Sequence, residues 1–166
     1  TIQVFSPGTD SGTFDFFVEA AVEPLFEDAE DSGAAAEEAI LSVPGIQFSE
    51  DDNVLVQGVE GSPYAIGYFG FAYYVENEDR LNAVAIDGVE PNEETAERGE
   101  YALSRPLYIY SDANIMAEKP QVAGFISYYL TNVNDVIQEV GYFPASVEAL
   151  NQAKQNYLDA VGAAGS

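Results

Sequence analysis

The chain has 166 residues, of which 29 are Asp or Glu and five are Lys or Arg, giving a formal net charge of −24 with no His, Cys or Trp. Without Cys or His there is no disulfide scaffold, no thiolate or imidazole zinc site, no cysteine nucleophile and no Ser-His-Asp triad. The charge argues against nucleic acid and anionic membrane, which both need basic patches, and no apolar run is long enough to span a bilayer.

Thr1 to Phe5 (TIQVF) predicts a short strand. It runs into Ser6-Pro7-Gly8-Thr9-Asp10-Ser11-Gly12-Thr13, a loop of turn formers and hydroxyls. Phe14, Phe16, Phe17, Ala20 and Ala21 then recur at mixed helical spacing, predicting a helix to about Val22 that Pro24 and the acidic stretch Glu27 to Gly33 bring to an end. Ala34 to Leu41 is rich in helix formers. Pro44-Gly45 predicts a turn and Ile46 to Phe48 a short extended piece. Ser49-Glu50-Asp51-Asp52 places an N-cap and acids before Val54, Leu55 and Val59, a second helix start, closed by Gly58, Gly61 and Pro63.

Tyr64 to Tyr68 (YAIGY) predicts a buried strand, and Phe69 to Val75 a helix packed by aromatics. Leu81 to Ile86 alternates and predicts a strand, with a turn at Asp87-Gly88 and an acidic segment from Pro91 to Glu100. Arg105 to Tyr110 (RPLYIY) predicts a further strand. Lys119-Pro120 opens a long helix with Val122, Phe125, Ile126, Tyr129 and Leu130 on one face. Val133 to Val140 and Ser146 to Val161 predict two more helices, divided by Gly141 and Pro144, and the tail from Gly162 to Ser166 is expected to fray. Alternating strands and helices predict an α/β fold with a mixed, mostly parallel sheet flanked by helices.

The acids are spread along the chain, and such blocks ordinarily form a solvated face. At 47% hydrophobic and 13% aromatic the chain can bury a core and is not an acidic tail. No stretch fits the oxygen-ligand spacing of a calcium loop, and neither a metal nor a cofactor is expected. Scarce Lys with abundant acid points to a saline habitat, because self-repulsion at this charge weakens a compact state at low salt.

The segment with the most chemistry is Asp10-Ser11-Gly12-Thr13. Hydroxyls at 11 and 13 and backbone amides at 12 to 14 stand at a helix start after a strand, an arrangement that suits an oxyanion. The helix dipole adds about half a positive charge there, and glycine allows close approach. The plainer reading is that Ser11 caps the helix and Asp10 stabilises its start. Asp10 has the wrong sign for an anion site, unless it holds a cationic partner or accepts a proton from a protonated oxyanion. There is no Lys after the glycine, so the loop is not a P-loop. The aromatic run Tyr64, Tyr68, Phe69, Phe71, Tyr73 and Tyr74 reads first as core packing and second as a cleft wall with tyrosyl hydroxyls reaching polar partners.

GTDSGTFDFF at 8–17, SEDDNVLVQGV at 49–59, AIGYFGFAYY at 65–74 and LSRPLYIY at 103–110 together resemble the PstS-type phosphate-binding proteins of phosphate ABC transporters. The resemblance implies a type II periplasmic-binding-protein fold, with two α/β lobes closing on a buried phosphate. It implies phosphate contacts from Ser11, Gly12 and Thr13, with Asp10 and Thr9 beside them. Relatives usually add an arginine from this lobe. The chain has no basic residue before Arg80, for which a surface role is expected, and Arg105 is a candidate contact. Residues 1–100 resemble the second, ligand-binding lobe, and residues 101–166 the crossover strand and C-terminal helices of the first. Complete members are roughly twice this length, so the resemblance implies an N-terminal part of lobe one as a further partner, beside inorganic phosphate and the permease. It implies a periplasmic or extracellular location, with a lipid anchor as an option for the full-length form, and no catalysis. A phosphatase using Ser11 lacks a base and a metal set. An accessory or interaction protein on the same fold, or a binder of sulfate, is the alternative.

Overall fold

A computed structural model describes residues 1–164 and divides the chain into two compact units, Thr1–Ser104 and Arg105–Ser166. The first unit is built on a three-stranded parallel sheet of order β2-β1-β3, formed by β1 (Gln3–Pro7), β2 (Gln47–Ser49) and β3 (Ala65–Gly67). In register, Phe5 lies opposite Gln47 on one side and Gly67 on the other. The β3 pairing stops at Phe5, so the N–H that Pro7 lacks deprives no ladder bond on that side. The sheet is the mostly parallel one the alternation predicts.

Helix α1 (Gly12–Phe17) starts on the Ser11 cap, loosens into a π-turn at Val18–Val22 and tightens into a 3-10 turn at Glu23–Phe26. Pro24 therefore does not end the helical path. It occupies the first turn of the 3-10 segment, where its missing N–H costs no bond. Helix α2 (Ser32–Leu41) starts on Asp31, whose carboxylate accepts the Ala34 amide at 3.0 Å. Phe14, Val18, Ala36 and Ile40 form one buried cluster, with Phe17, Val22, Phe26 and Ile46 packed on it.

Helix α3 (Asp52–Glu60) is capped by Asp51 rather than by the expected Ser49. Ser49 Oγ is occupied closing the preceding turn, accepting from the Asp51 amide at 3.0 Å and donating to its carbonyl at 3.1 Å. Gly58 lies inside α3 instead of ending it, because a Cβ there would collide with the Phe5 ring. Gly67 likewise brings β3 against Val59 of α3, where a Cβ would meet a methyl carbon at 2.8 Å. Gly70 has no such need, its nearest neighbour being Tyr73 at 3.7 Å.

Two strand expectations fail, and a third is modified. Leu81 to Ile86 forms only the isolated bridge Ile86–Val89, since residues 82–85 are all exposed and the alternation buries no face. Arg105 to Tyr110 is irregular and exposed throughout. Among the described residues of the second unit there is no strand, so this β-prone run has no ladder to join there. β3 forms as expected but as an edge, with Ile66 and Tyr64 exposed rather than buried. Helix α4 (Phe71–Val75) follows it, and a short helix α5 (Glu93–Glu97) within the acidic segment is fixed by a capping box between Asn92 and Thr95.

The second unit is helical: α6 (Ala113–Glu118), α7 (Pro120–Val136) and α8 (Val147–Ala164). α6 was not expected from sequence and starts where Asp112 accepts the Asn114 and Ile115 amides. The segment from Val133 to Val140 is no separate helix. It is the end of α7 and a 3-10 turn at Ile137–Val140, stopped at Gly141 with φ +78. Of the five residues expected on one apolar face of α7, only Ile126 is buried, and Phe125 is exposed. The tail expected to fray is helical through Ala164, and residues 165–166 lie outside the described residues.

Candidate functional site

In an open parallel sheet, ligands collect beyond the carboxyl ends of the strands, at the point where the chain reverses its direction of winding. Here β2 is laid down on one side of β1 and β3 on the other, so that point lies at the end of β1. Three segments meet it: the loop 8–13 after β1, the turn 50–51 after β2, and residues 68–70 after β3.

The loop is tied at its root. The Gly8 amide donates to the Ser49 carbonyl at 3.1 Å, extending the β1–β2 ladder by one bond. The Ser11 amide donates to the Gly8 carbonyl at 3.1 Å. Ser11 takes the extended conformation of an N-cap, φ −96 and ψ 124, and its Oγ accepts from the Thr13 amide at 3.2 Å. Ser11 and Thr13 are half-buried, while Thr9, Asp10 and Gly12 are exposed. The two readings of Ser11 thus coexist: it caps α1 through an oxygen lone pair, and its O–H proton remains able to reach a ligand. The Thr13 amide, expected to be open to an anion, is already engaged by that cap.

The surroundings are acidic. Glu50 Oε1 accepts from the Asp10 amide at 3.4 Å, and the Glu50 carboxylate lies so close to Gly8 that a Cβ at position 8 would overlap it. An oxyanion entering the loop therefore meets a carboxylate that already holds one of its amides. Burial, and then the neighbouring Asp51 carboxylate, raise the pKa of Asp52 in the same turn. Arg80, expected at the surface, is exposed and pairs with Glu60 at 2.7 Å and with Asp79, and it also bonds Asn77. Arg98 pairs with Glu94 at 2.7 Å. Arg105 is exposed at the start of the second unit. Among the described residues, no group of three or more His, Cys, Asp or Glu is arranged to hold a metal, and no helix is long and apolar enough to cross a membrane.

Three residues at this point were not singled out as site residues from sequence: Glu50, Ser6 and Tyr68. A parallel pairing of β1 with β2 brings their carboxyl ends together, so the acids after Phe48 belong beside the loop once that pairing is known. Ser6 is fully buried in β1. Tyr68 lies half-buried with its ring stacked on Phe17, centroids 4.0 Å apart and planes 18° apart, and its hydroxyl is 2.6 Å from Ser6 Oγ. Burial raises the pKa of this phenol. Within the aromatic run no side chain is fully buried: Tyr64 is exposed, Tyr68 to Tyr74 are half-buried, and the Tyr68 hydroxyl reaches a polar partner.

Comparison with known proteins places this geometry. The sequence profile of the PBP superfamily domain matches residues 1–133. Protein SphX of Synechocystis is 40% identical over 161 residues, covering 94% of this chain and 44% of SphX. The phosphate-binding protein PstS of Staphylococcus haemolyticus is 33% identical, covering 85% of this chain and 41% of its own. A possible phosphate binding protein from Planctomyces limnophilus superposes with a TM-score of 0.69 at 35% identity, over 96% of this chain and 54% of that one. PstS from Borrelia burgdorferi, at 17% identity and a TM-score of 0.60, shares the fold. The chain spans less than half the length of the curated relatives it matches. With a parallel sheet flanked by helices and a superfamily match over most of its length, the chain belongs to the PBP superfamily and within it resembles the PstS-type phosphate-binding proteins.

Proposed function

We propose that this chain carries the anion-binding loop of an extracytoplasmic phosphate-binding protein that delivers inorganic phosphate to an ABC permease. The observation that carries this reading is the Ser11-Gly12-Thr13 helix start at the carboxyl end of the central parallel strand. Such a start presents hydroxyls, amides and the positive end of a dipole to an oxyanion without requiring a counter-ion. In this reading Ser11, Gly12 and Thr13 hold phosphate oxygens, and Thr9 and Asp10 line the rim. Arg105 remains a candidate for a further contact. Residues 1–100 act as one lobe and residues 101–166 as part of another, whose remainder is an N-terminal part of lobe one. The exposed run Leu107 to Tyr110 supports that division, because a β-prone apolar segment with no strand beside it suits pairing in a further sheet. The relatives named phosphate-binding protein PstS support phosphate as the ligand, and in this reading the protein works outside the cytoplasmic membrane, periplasmic or lipid-anchored. The protein binds and releases its ligand unchanged.

The carboxylate of Glu50 on the Asp10 amide favours a second reading, in which the fold serves as an accessory or interaction protein without transport. Calorimetry of the complete protein with phosphate, sulfate and arsenate separates the two. Phosphate binding that weakens in Ser11→Ala and Thr13→Ala variants supports the transport reading. Wild-type affinity in both variants overturns it, and no heat with any oxyanion favours the second.

A further inference from the structure

Beneath the anion loop runs a hydrogen-bond chain that begins just after a different strand, β3. Ser6 Oγ donates to the Pro7 carbonyl at 2.9 Å. With that proton committed, the oxygen of Ser6 is the acceptor for its other partner, so the Tyr68 hydroxyl at 2.6 Å is the donor. The chain therefore reads Tyr68 O–H to Ser6 O–H to Pro7 C=O. The Pro7 carbonyl belongs to the Pro7–Gly8 peptide, the first of the loop. The opposite edge of that peptide is held too, by the Gly8 amide on the Ser49 carbonyl. The next carbonyl, that of Gly8, accepts the Ser11 amide and so fixes the N-cap of α1. Tyr68 itself cannot swing freely, since its ring lies flat on Phe17 of the same helix that the loop opens. One side chain after β3 thus sets the plane of the first loop peptide and braces the helix from below.

We propose that Tyr68 is a positioning residue for anion binding: through Ser6 it fixes the Pro7–Gly8 peptide, and through that peptide the Ser11 cap that meets the oxyanion. The proposal rests on the function proposed above and adds a residue to it that need not touch the ligand. A phenol-to-hydroxyl bond is directional, so its loss leaves the loop present but less sharply placed, and binding suffers more than folding.

The test is phosphate calorimetry on the complete protein as wild type, Tyr68→Phe, Ser6→Ala, the double variant and Ser11→Ala. Tyr68→Phe keeps the ring on Phe17 and removes only the hydroxyl. The expected result is phosphate binding about tenfold weaker in each of Tyr68→Phe and Ser6→Ala, equivalent to about 1.4 kcal/mol. The double variant is expected to be no weaker than either single one, with thermal midpoints near that of the wild type. A fluorotyrosine placed at position 68 is expected to shift its fluorine NMR signal when phosphate is added, and Ser11→Ala to abolish that shift. Wild-type affinity in Tyr68→Phe, with binding lost in Ser11→Ala, overturns the proposal while leaving the proposed function intact. So does a loss of affinity in Tyr68→Phe that is matched by a loss of folding. A wild-type protein that binds no phosphate overturns the proposed function, and this inference with it.

Discussion

In the first unit Phe14, Ala36 and Leu55 are exposed by 1% or less, whereas the best-buried apolar residues of the second, Met116 and Ile126, reach 6% and 7%. The first unit has a sheet on which helices can lay their apolar sides. Among its described residues the second has helices and no sheet, and it leaves Phe125, Tyr128 and the run Leu107 to Tyr110 exposed. The difference decides where polar groups can be gathered. A parallel sheet gathers three strand ends at one place, and the loop there can hold polar groups in fixed relation while the core beneath carries the stability. Helices packed on one another supply no such gathering point.

Single substitutions in the two cores test whether the units differ in this way. The largest effect is expected from Phe14→Ala, which empties the centre of the first unit's cluster and should cost about 3–5 kcal/mol in urea unfolding. Ile126→Ala should cost less, at the lower end of about 2–5 kcal/mol, because fewer buried neighbours surround it. Equal losses at the two positions would erase the contrast. Ser11→Ala acts at the junction of fold and site. The cap it removes is worth about 1 kcal/mol of stability, and phosphate affinity should fall with it.

Salt acts on both units at once. At −24 the chain repels itself, so the thermal midpoint should rise between low and molar NaCl as that repulsion is screened. A flat or falling midpoint would remove the inference of a saline habitat. The smallest effect is expected at Asp52, whose folded pKa lies above its ordinary 3.8. The folded chain then holds this proton more tightly than the unfolded one, so the group's contribution to stability is present below 3.8 and is lost as the pH rises through the folded value. Asp52→Asn should therefore raise the midpoint slightly at neutral pH and leave it unchanged in acid, as thermal scans across that range would record.

Much of the first unit was legible because its signals are local. A strand, a Gly/Ser/Thr loop and a capped helix announce themselves within residues 1–22, and the acids after Phe48 mark a second helix start. The exact cap was not legible, since Ser49 and Asp51 are both good caps and the choice depends on which of them closes the preceding turn. The strands expected at Leu81 to Ile86 and Arg105 to Tyr110 had the right residues. Pairing, however, is a property of the neighbour, and no alternation within a segment reports whether an edge lies beside it. Among the candidate site residues, Ser11 to Thr13 stand out by their own chemistry. Glu50 and Tyr68 reach the loop only through the register of β2 and β3 on β1, which links residues some 40 and 60 positions apart.

In the proposed function the loop from Gly8 to Thr13 holds phosphate by short-range hydrogen bonds despite an acidic surface. Calorimetric titration of the complete protein with phosphate at molar salt, wild type beside Ser11→Ala, tests this. Saturable phosphate binding is expected of the wild type, weakened at least tenfold by the substitution. Binding of equal strength in the two proteins, or no binding by the wild type, would contradict it.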